Sequence, residues 1–271
     1  MKDEIKLHPS TDRILNDPNL PKFVQRSKEW YDYRKTRVTA SEVSTVLACG
    51  RGAKSLMHRK KFKFHHAVNE SESQTQSQTQ NEYLKLGLEN ESIVVDLYGK
   101  KFPHVTVYHD LSIVPHRCLD YVAASLDACT NTGINVEIKT SFKTKFTTVP
   151  KSYYDQVQLQ MEVAELELTH LVYHYVRIPG QPIQIHSIAR DRKWFEVHGP
   201  TLAKFVEDLR KYFPFDLERI QRAYKMRYSS SSPSSSSLST SSPSSLSTSS
   251  LPCPCTSLST STRPFDDPNL R

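Results

Sequence analysis

Within SLDACTNTGINVEIKTS, residues 125–141, two acids and a lysine stand at a spacing that could do chemistry: Asp127, Glu137 and Lys139. The surrounding Val, Ile, Ala and Thr predict strands, and Thr-Asn-Thr-Gly at 130–133 predicts the turn of a hairpin. Alternation along the second strand puts Glu137 and Lys139 on one face and directs Ile138 into the opposite layer. Asp127 then falls nearly level with them across the turn. Two carboxylates so placed offer the hard oxygen ligands that Mg²⁺ or Mn²⁺ prefers. A cation there would acidify a water and stabilise charge gathering on an attacked phosphate, with the Lys139 ammonium orienting that water or helping to deprotonate it. The competing reading is an exposed cross-strand ion pair, worth less than about 1 kcal/mol.

A third acid comes from a separate element. EYLKLGLENESIVVDLYGKKF, residues 82–102, has the pattern of an amphipathic helix. At 100° per residue Leu84, Leu88, Val95 and Tyr98 share a stripe with Glu91, while Glu89 points away. A carboxylate on an apolar stripe is costly unless it is paired or binds a cation, so Glu91 joins the candidates.

The remaining elements must hold these residues in place. Residues 1–22 are polar and proline-bearing and read as an arm. FVQRSKEWYDYRK predicts a helix with Phe23, Trp30, Tyr33 and Arg34 near one face, Trp30 serving as a core anchor. Thr39 and Glu42 have capping-box spacing for a further helix, ended by Gly50. KSLMHRKKFKFHH, residues 54–66, is dense in Lys, Arg and His: a phosphate-touching loop, a nuclear-localisation patch or a solvated face. NESESQTQSQTQN, residues 69–81, is low complexity and reads as a flexible loop. HVTVYHDLSIVP, LDYVAASLDAC, INVEIKTSF, HLVYHYVRI and PIQIHSIAR predict strands. SYYDQVQLQMEVAEL and WFEVHGPTLAKFVEDLRKYF predict helices. The order implies an α+β fold, a central mixed sheet flanked by helices.

Composition sets the outer bounds. At 37% hydrophobic and 24% charged over 271 residues, the body can bury a core. Residues 229–271 are Ser-rich, with two arginines balanced by two aspartates, and read as a disordered tail. The whole +7 formal charge therefore sits on 1–228, which favours an anionic partner. The chain has no apolar run long enough for a membrane span and no signal-peptide core, which predicts an intracellular protein, nuclear or cytoplasmic. The five cysteines, including the lone CxC at Cys253 and Cys255, lack the CxxC spacing of metal sites and read as reduced.

In order along the chain, RSKEWYDYRKTRVTAS, LGLENES, AASLDA, VEIKTS and SYYDQVQLQM resemble the phage lambda exonuclease and YqaJ-type viral recombinase family, within the PD-(D/E)xK nuclease superfamily. The resemblance spans about residues 26–161. It implies a restriction-endonuclease-like core and a catalytic set of Glu91, Asp127, Glu137, Lys139 and Gln156. The metal ligands it implies are Asp127, Glu137, Glu91 and the Ile138 carbonyl, and Arg34, Ser41 and Ser125 would bind a 5′ phosphate. The activity implied is Mg²⁺- or Mn²⁺-dependent hydrolysis of double-stranded DNA ends from 5′ to 3′, in recombination, repair or viral genome processing. A single-strand annealing partner and a homotrimer follow by analogy alone. An endonuclease or RecB-type nuclease, and a DNA-binding module with a decayed site, remain alternatives. SLDA stands where SPDG is usual, and Thr140-Ser141 where Cys-Pro is common, which bears on local backbone geometry more than on the ligand set.

Overall fold

The computed structural model describes residues 6–62, 90–141, 147–176 and 182–211. The loop expected at 69–81 and the tail expected at 229–271 lie outside them, as do Leu84, Leu88 and Glu89. The chain divides into two units, Met1–Ser230 and Ser231–Arg271, and every described residue belongs to the first. No described helix is long and apolar enough to cross a membrane.

Seven helices are described: α1 Pro9–Asn16, α2 Lys28–Lys35, α3 Val43–Leu47, α4 Arg51–Phe62, α5 over 90–101, α6 Lys151–Ala164 and α7 Arg192–Arg210. The strands are β1 Val38–Thr39, β2 Val107–His109, β3 Val114–Pro115, β4 Val122–Ala124, β5 Ala128–Thr130, β6 Ile134–Ser141, β7 Leu168–Tyr175 and β8 Gln184–Ala189. They form two sheets. One has the order β1-β4-β3, the other β2-β5-β6-β7-β8, with β6 parallel to β7 and the other pairs of the larger sheet antiparallel. The expected central mixed sheet is thus the five-stranded one, with a second, smaller sheet beside it.

The second sheet arises because two predicted strands each break in the middle. HVTVYHDLSIVP splits at Asp110, which adopts a left-handed backbone with φ 57°, so β2 enters the large sheet and β3 the small one. LDYVAASLDAC splits at 125–127, and β4 and β5 part in the same way. Asp127 therefore sits where the chain passes between sheets. Leu126 beside it is fully buried, which fixes the turn of the backbone.

β6 is the central strand of the large sheet, and its two faces meet different layers. Val136 and Ile138 pack with Val94, Val95 and Tyr98 of α5 and with Val172 of β7. The other face meets α6, which is buried almost all round because it also contacts α3, α7 and β4. A Tyr98 hydroxyl to His170 Nδ1 hydrogen bond of 2.7 Å ties α5 to β7. Val157, Leu159, Met161 and Val163 belong to the main core along with Leu171, Tyr173, Leu202 and Phe205.

Three expectations change in detail. The segment read as an arm contains α1, which is docked on the body: Thr11 Oγ1 donates to the Thr130 carbonyl at 2.8 Å, Ser10 Oγ to the Glu165 carbonyl, and Arg13 to the Val163 carbonyl. The Thr39–Glu42 capping box forms, but it closes a single 3₁₀ turn, Ala40–Glu42, that leads into the five-residue α3. That helix ends at Leu47, and the left-handed residue after it is Cys49, φ 49°, in place of Gly50. Finally, the basic segment at 54–66 is helical through Phe62, and one of its lysines, Lys60, is wholly buried.

Candidate active site

The hairpin register places Asp127 as read from the sequence. Ala128 pairs with Val136 and Cys129 with Asn135, so the next residue out, Asp127, stands opposite Glu137. Asp127 Oδ2 accepts a 2.7 Å hydrogen bond from the Ile138 amide, which pins the half-buried carboxylate at the strand edge. Ala128, which with Leu126 departs from the SPDG pattern, is a buried strand residue packed with Val136 and Ile138. It lies within β5 and pairs with Val136.

Glu137 is 2% exposed yet fully engaged. Lys139 Nζ donates to its Oε1 at 2.6 Å, Gln156 Nε2 donates to the same oxygen at 2.6 Å, and Gln160 Nε2 donates to Oε2 at 2.6 Å. Lys139 also donates to Gln156 Oε1 at 3.1 Å and lies over the Tyr153 ring, 4.8 Å from its centroid. The exposed ion pair is therefore the wrong reading of Glu137 and Lys139: the pair is held between the sheet and α6. Gln156 bridges Lys139 and Glu137.

Gln160 was missed. It is wholly buried, accepts from Asn135 Nδ2 at 3.0 Å, and donates to the Ser125 carbonyl as well as to Glu137. Asn135 in turn donates to Thr169 Oγ1. The signal was present in QVQLQM, since Gln160 falls among Val157, Met161 and Ala164, and an amide on an apolar stripe needs a partner.

The acids crowd one another. Burial first, then the Glu137 charge, pushes the Asp127 carboxyl well above its ordinary range, with Lys139 opposing. Glu91 is raised by burial, then by Glu137 and Asp110, with Arg26 and His109 opposing. For Lys139, burial would lower the pKa, but Glu137 and Asp127 outweigh it and raise it, so the side chain is a firm ammonium. Glu91 thus shares the electrostatic field of Asp127 and Glu137. It also lines a cavity of about 780 Å³ with Arg26, His109 and Asp110. Among the described residues, however, no three His, Cys, Asp or Glu side chains converge into a ligand cage. Asp127 and Glu137 form the near pair, and Glu91 acts on both through its charge.

These residues fit a divalent cation. Two adjacent carboxylates, Glu137 buried and Asp127 half-buried, with a third acid close enough to act on both, carry more negative charge than Lys139 balances. Hard oxygen donors are the set that Mg²⁺ or Mn²⁺ takes.

The phosphate candidates lie next to this set. Arg34 is stacked on Trp30, 4.0 Å from its ring centroid, and its Nη2 donates to Ser41 Oγ at 3.1 Å. Trp30 is thereby both a core residue, packed with Ile113 and Ala123, and a platform for the guanidinium. Ser41 lines a groove of about 390 Å³ with Ser44, Thr45, Tyr153 and Gln156, so one groove reaches from the Arg34 partner to the Lys139 partner. Ser125 Oγ is buried and has no hydrogen-bond partner among the described residues.

A mixed sheet with an acid at the end of one strand, an ExK triplet on the next and helices on both faces is the PD-(D/E)xK nuclease fold. Residues 29–167, about half of the chain, match the YqaJ-like viral recombinase domain, and the chain belongs to that family. Two solved structures share the fold. LHK-Exo in complex with dAMP superposes with a TM-score of 0.57 at 19% identity, covering 74% of this chain and 99% of that one. The alkaline exonuclease LHK-Exo from Laribacter hongkongensis gives 0.56 at 18% identity with the same coverage. A comparison with curated proteins returned no match.

Proposed function

We propose that this protein is a divalent-metal-dependent deoxyribonuclease, a 5′-to-3′ exonuclease on double-stranded DNA ends that acts inside the cell in recombination, repair or viral genome processing. The observation that carries the reading is the set of Asp127, Glu137 and Lys139, with Glu137 buried and braced by Gln156, which also lines the groove that holds Ser41. Asp127, Glu137, Glu91 and the Ile138 carbonyl would hold Mg²⁺ or Mn²⁺, and the cation would supply Lewis acidity toward a phosphate oxygen. Lys139, kept protonated by its two acidic neighbours, orients the attacking water and donates to the charge that builds on the phosphate. Gln156 fixes both partners of the Lys139–Glu137 pair. Arg34 and Ser41, with Ser125, would seat the 5′ phosphate and so set which bond reaches the reacting atoms.

The test is digestion of 5′-phosphorylated linear duplex with Mg²⁺, compared with a closed circle of the same sequence. Wild type should shorten the linear duplex from its 5′ ends and leave the circle intact, while Lys139→Ala and Asp127→Ala should be inactive. Equal activity in all three proteins, or none in wild type, would overturn the reading. Cleavage of the circle would assign an endonuclease in its place.

A further inference from the structure

Lys60 is a fully buried lysine whose role the site above does not use. It is 0% exposed, although α4 otherwise carries its basic residues outward, Arg51, Lys54, His58 and Arg59 all being exposed. Its Nζ makes three bonds around the Arg34 region: 2.8 Å to the Arg34 carbonyl, 2.9 Å to the Arg37 carbonyl and 2.9 Å to Glu42 Oε2. The first two close the C-terminal end of α2, the turn from which Arg34 projects. The third neutralises an acid that sits directly after Ser41.

That acid is the reason Lys60 matters. Glu42 Oε2 also accepts from the Thr39 amide at 3.0 Å and the Thr39 hydroxyl at 2.8 Å, so its position is fixed by the capping box. Its charge is close enough to act on Arg34. A largely enclosed carboxylate that loses its cation is costly unless another cation replaces it. With Lys60 present, Glu42 is satisfied from one side and Arg34 donates to Ser41 on the other. Without Lys60, Arg34 is the cation left to Glu42, and a guanidinium drawn into an internal ion pair cannot also grip a phosphate.

We propose that Lys60 is a positioning residue for the Arg34–Ser41 phosphate site: it occupies Glu42 and fixes the end of α2, which keeps the Arg34 guanidinium turned toward Ser41 and available to a terminal phosphate. The inference rests on the reading of Arg34 and Ser41 given above and adds a charge-sharing partner to it.

The experiment measures kcat/KM on linear duplex with 5′-phosphoryl and with 5′-hydroxyl ends, together with kcat at saturating DNA. Wild type should prefer the phosphorylated end. Lys60→Gln should lose at least about tenfold of that preference, the effect of one missing hydrogen bond to a charged group, with the loss appearing in KM. Lys60→Gln with Glu42→Gln should recover it, because the competing charge is gone. Glu42→Gln alone, which keeps an acceptor for Thr39 and Lys60, should hold or raise the preference and serves if Lys60→Gln does not melt cooperatively. A preference that survives in folded Lys60→Gln, a double variant that recovers nothing, or a fall in Glu42→Gln overturns the role of Lys60 while the phosphate site stands. A wild type that digests both ends equally overturns the phosphate site and this inference together.

Discussion

At the scale of the residue, the site is an arrangement of charges that the folded chain tolerates at a cost. Asp127 has its carboxyl raised above an ordinary value of 3.8 by burial and by Glu137. The folded state therefore holds this proton more tightly than the unfolded state does. Stability from this group is greatest below the unfolded value and declines as pH rises through the window up to the raised native one. At neutral pH the cation-free protein carries that penalty. Asp127→Asn, which keeps an acceptor for the Ile138 amide, should abolish nuclease activity. It should also raise the melting temperature of the cation-free protein at pH 7.5, by about 2–4 °C for each kcal/mol recovered. The gain should vanish near pH 4, and calorimetry with chelator at the two pH values measures it. Gln160 is the opposite case, a neutral side chain on which three buried groups depend. Gln160→Leu would strand Glu137 Oε2, the Ser125 carbonyl and the Asn135 amide. It should cost about 1–3 kcal/mol in urea unfolding and, by loosening Glu137, about 10–100-fold in turnover or cation affinity.

At the scale of the element, the site depends on a hairpin and on what holds its turn. Gly133 has φ 84°, and a Cβ there would lie 2.5 Å from His8 Cγ. His8 also donates its amide to the Asn131 carbonyl at 2.8 Å and caps α1 by accepting from the Ser10 amide. The turn that sets the register of Asp127 against Glu137 is therefore the surface on which α1 docks. Gly133→Ala should destabilise by about 1–3 kcal/mol through backbone strain, with extra amide exchange in residues 9–16. Adding His8→Ala should return the steric part and leave the φ part, a split that denaturant melts of the single and double variants resolve. The hairpin itself was legible, because strand alternation and a Thr-Asn-Thr-Gly turn are local patterns. The docking of α1 was not. PSTDRILN shows a polar surface, and its buried residues, Ser10 and Thr11, are polar groups whose partners lie more than a hundred positions away.

At the scale of the whole molecule, the +7 charge and the groove beside Ser41 suit a polyanion. Binding to duplex DNA in chelator should weaken steeply with salt. If three phosphates are neutralised, affinity should fall by about fortyfold between 50 and 200 mM monovalent salt, since log K falls by about 0.9 per phosphate for each tenfold rise in salt. Fluorescence anisotropy of a labelled duplex measures the slope, and a flat response would separate the charge from DNA binding. At this scale, too, the basic segment of α4 changes meaning. Its exposed residues fit the solvated face weighed from the sequence, while Lys60 belongs to the interior and to Glu42.

The sequence by itself determined everything that a short period can carry: the pairing of Glu137 with Lys139 on one face of β6, the Thr39–Glu42 box and the turn at 130–133. These follow from local geometry, in which side chains two, three or four positions apart have fixed relations. The tertiary structure decided which of those faces is dry. Glu137 and Lys139 could have faced water, and they are buried and half-buried because α6, closing over β6, is itself enclosed by α3 and α7. Gln160, Lys60 and the docked α1 likewise take their roles from partners far along the chain, and a periodic pattern holds no record of which distant segment will cover it.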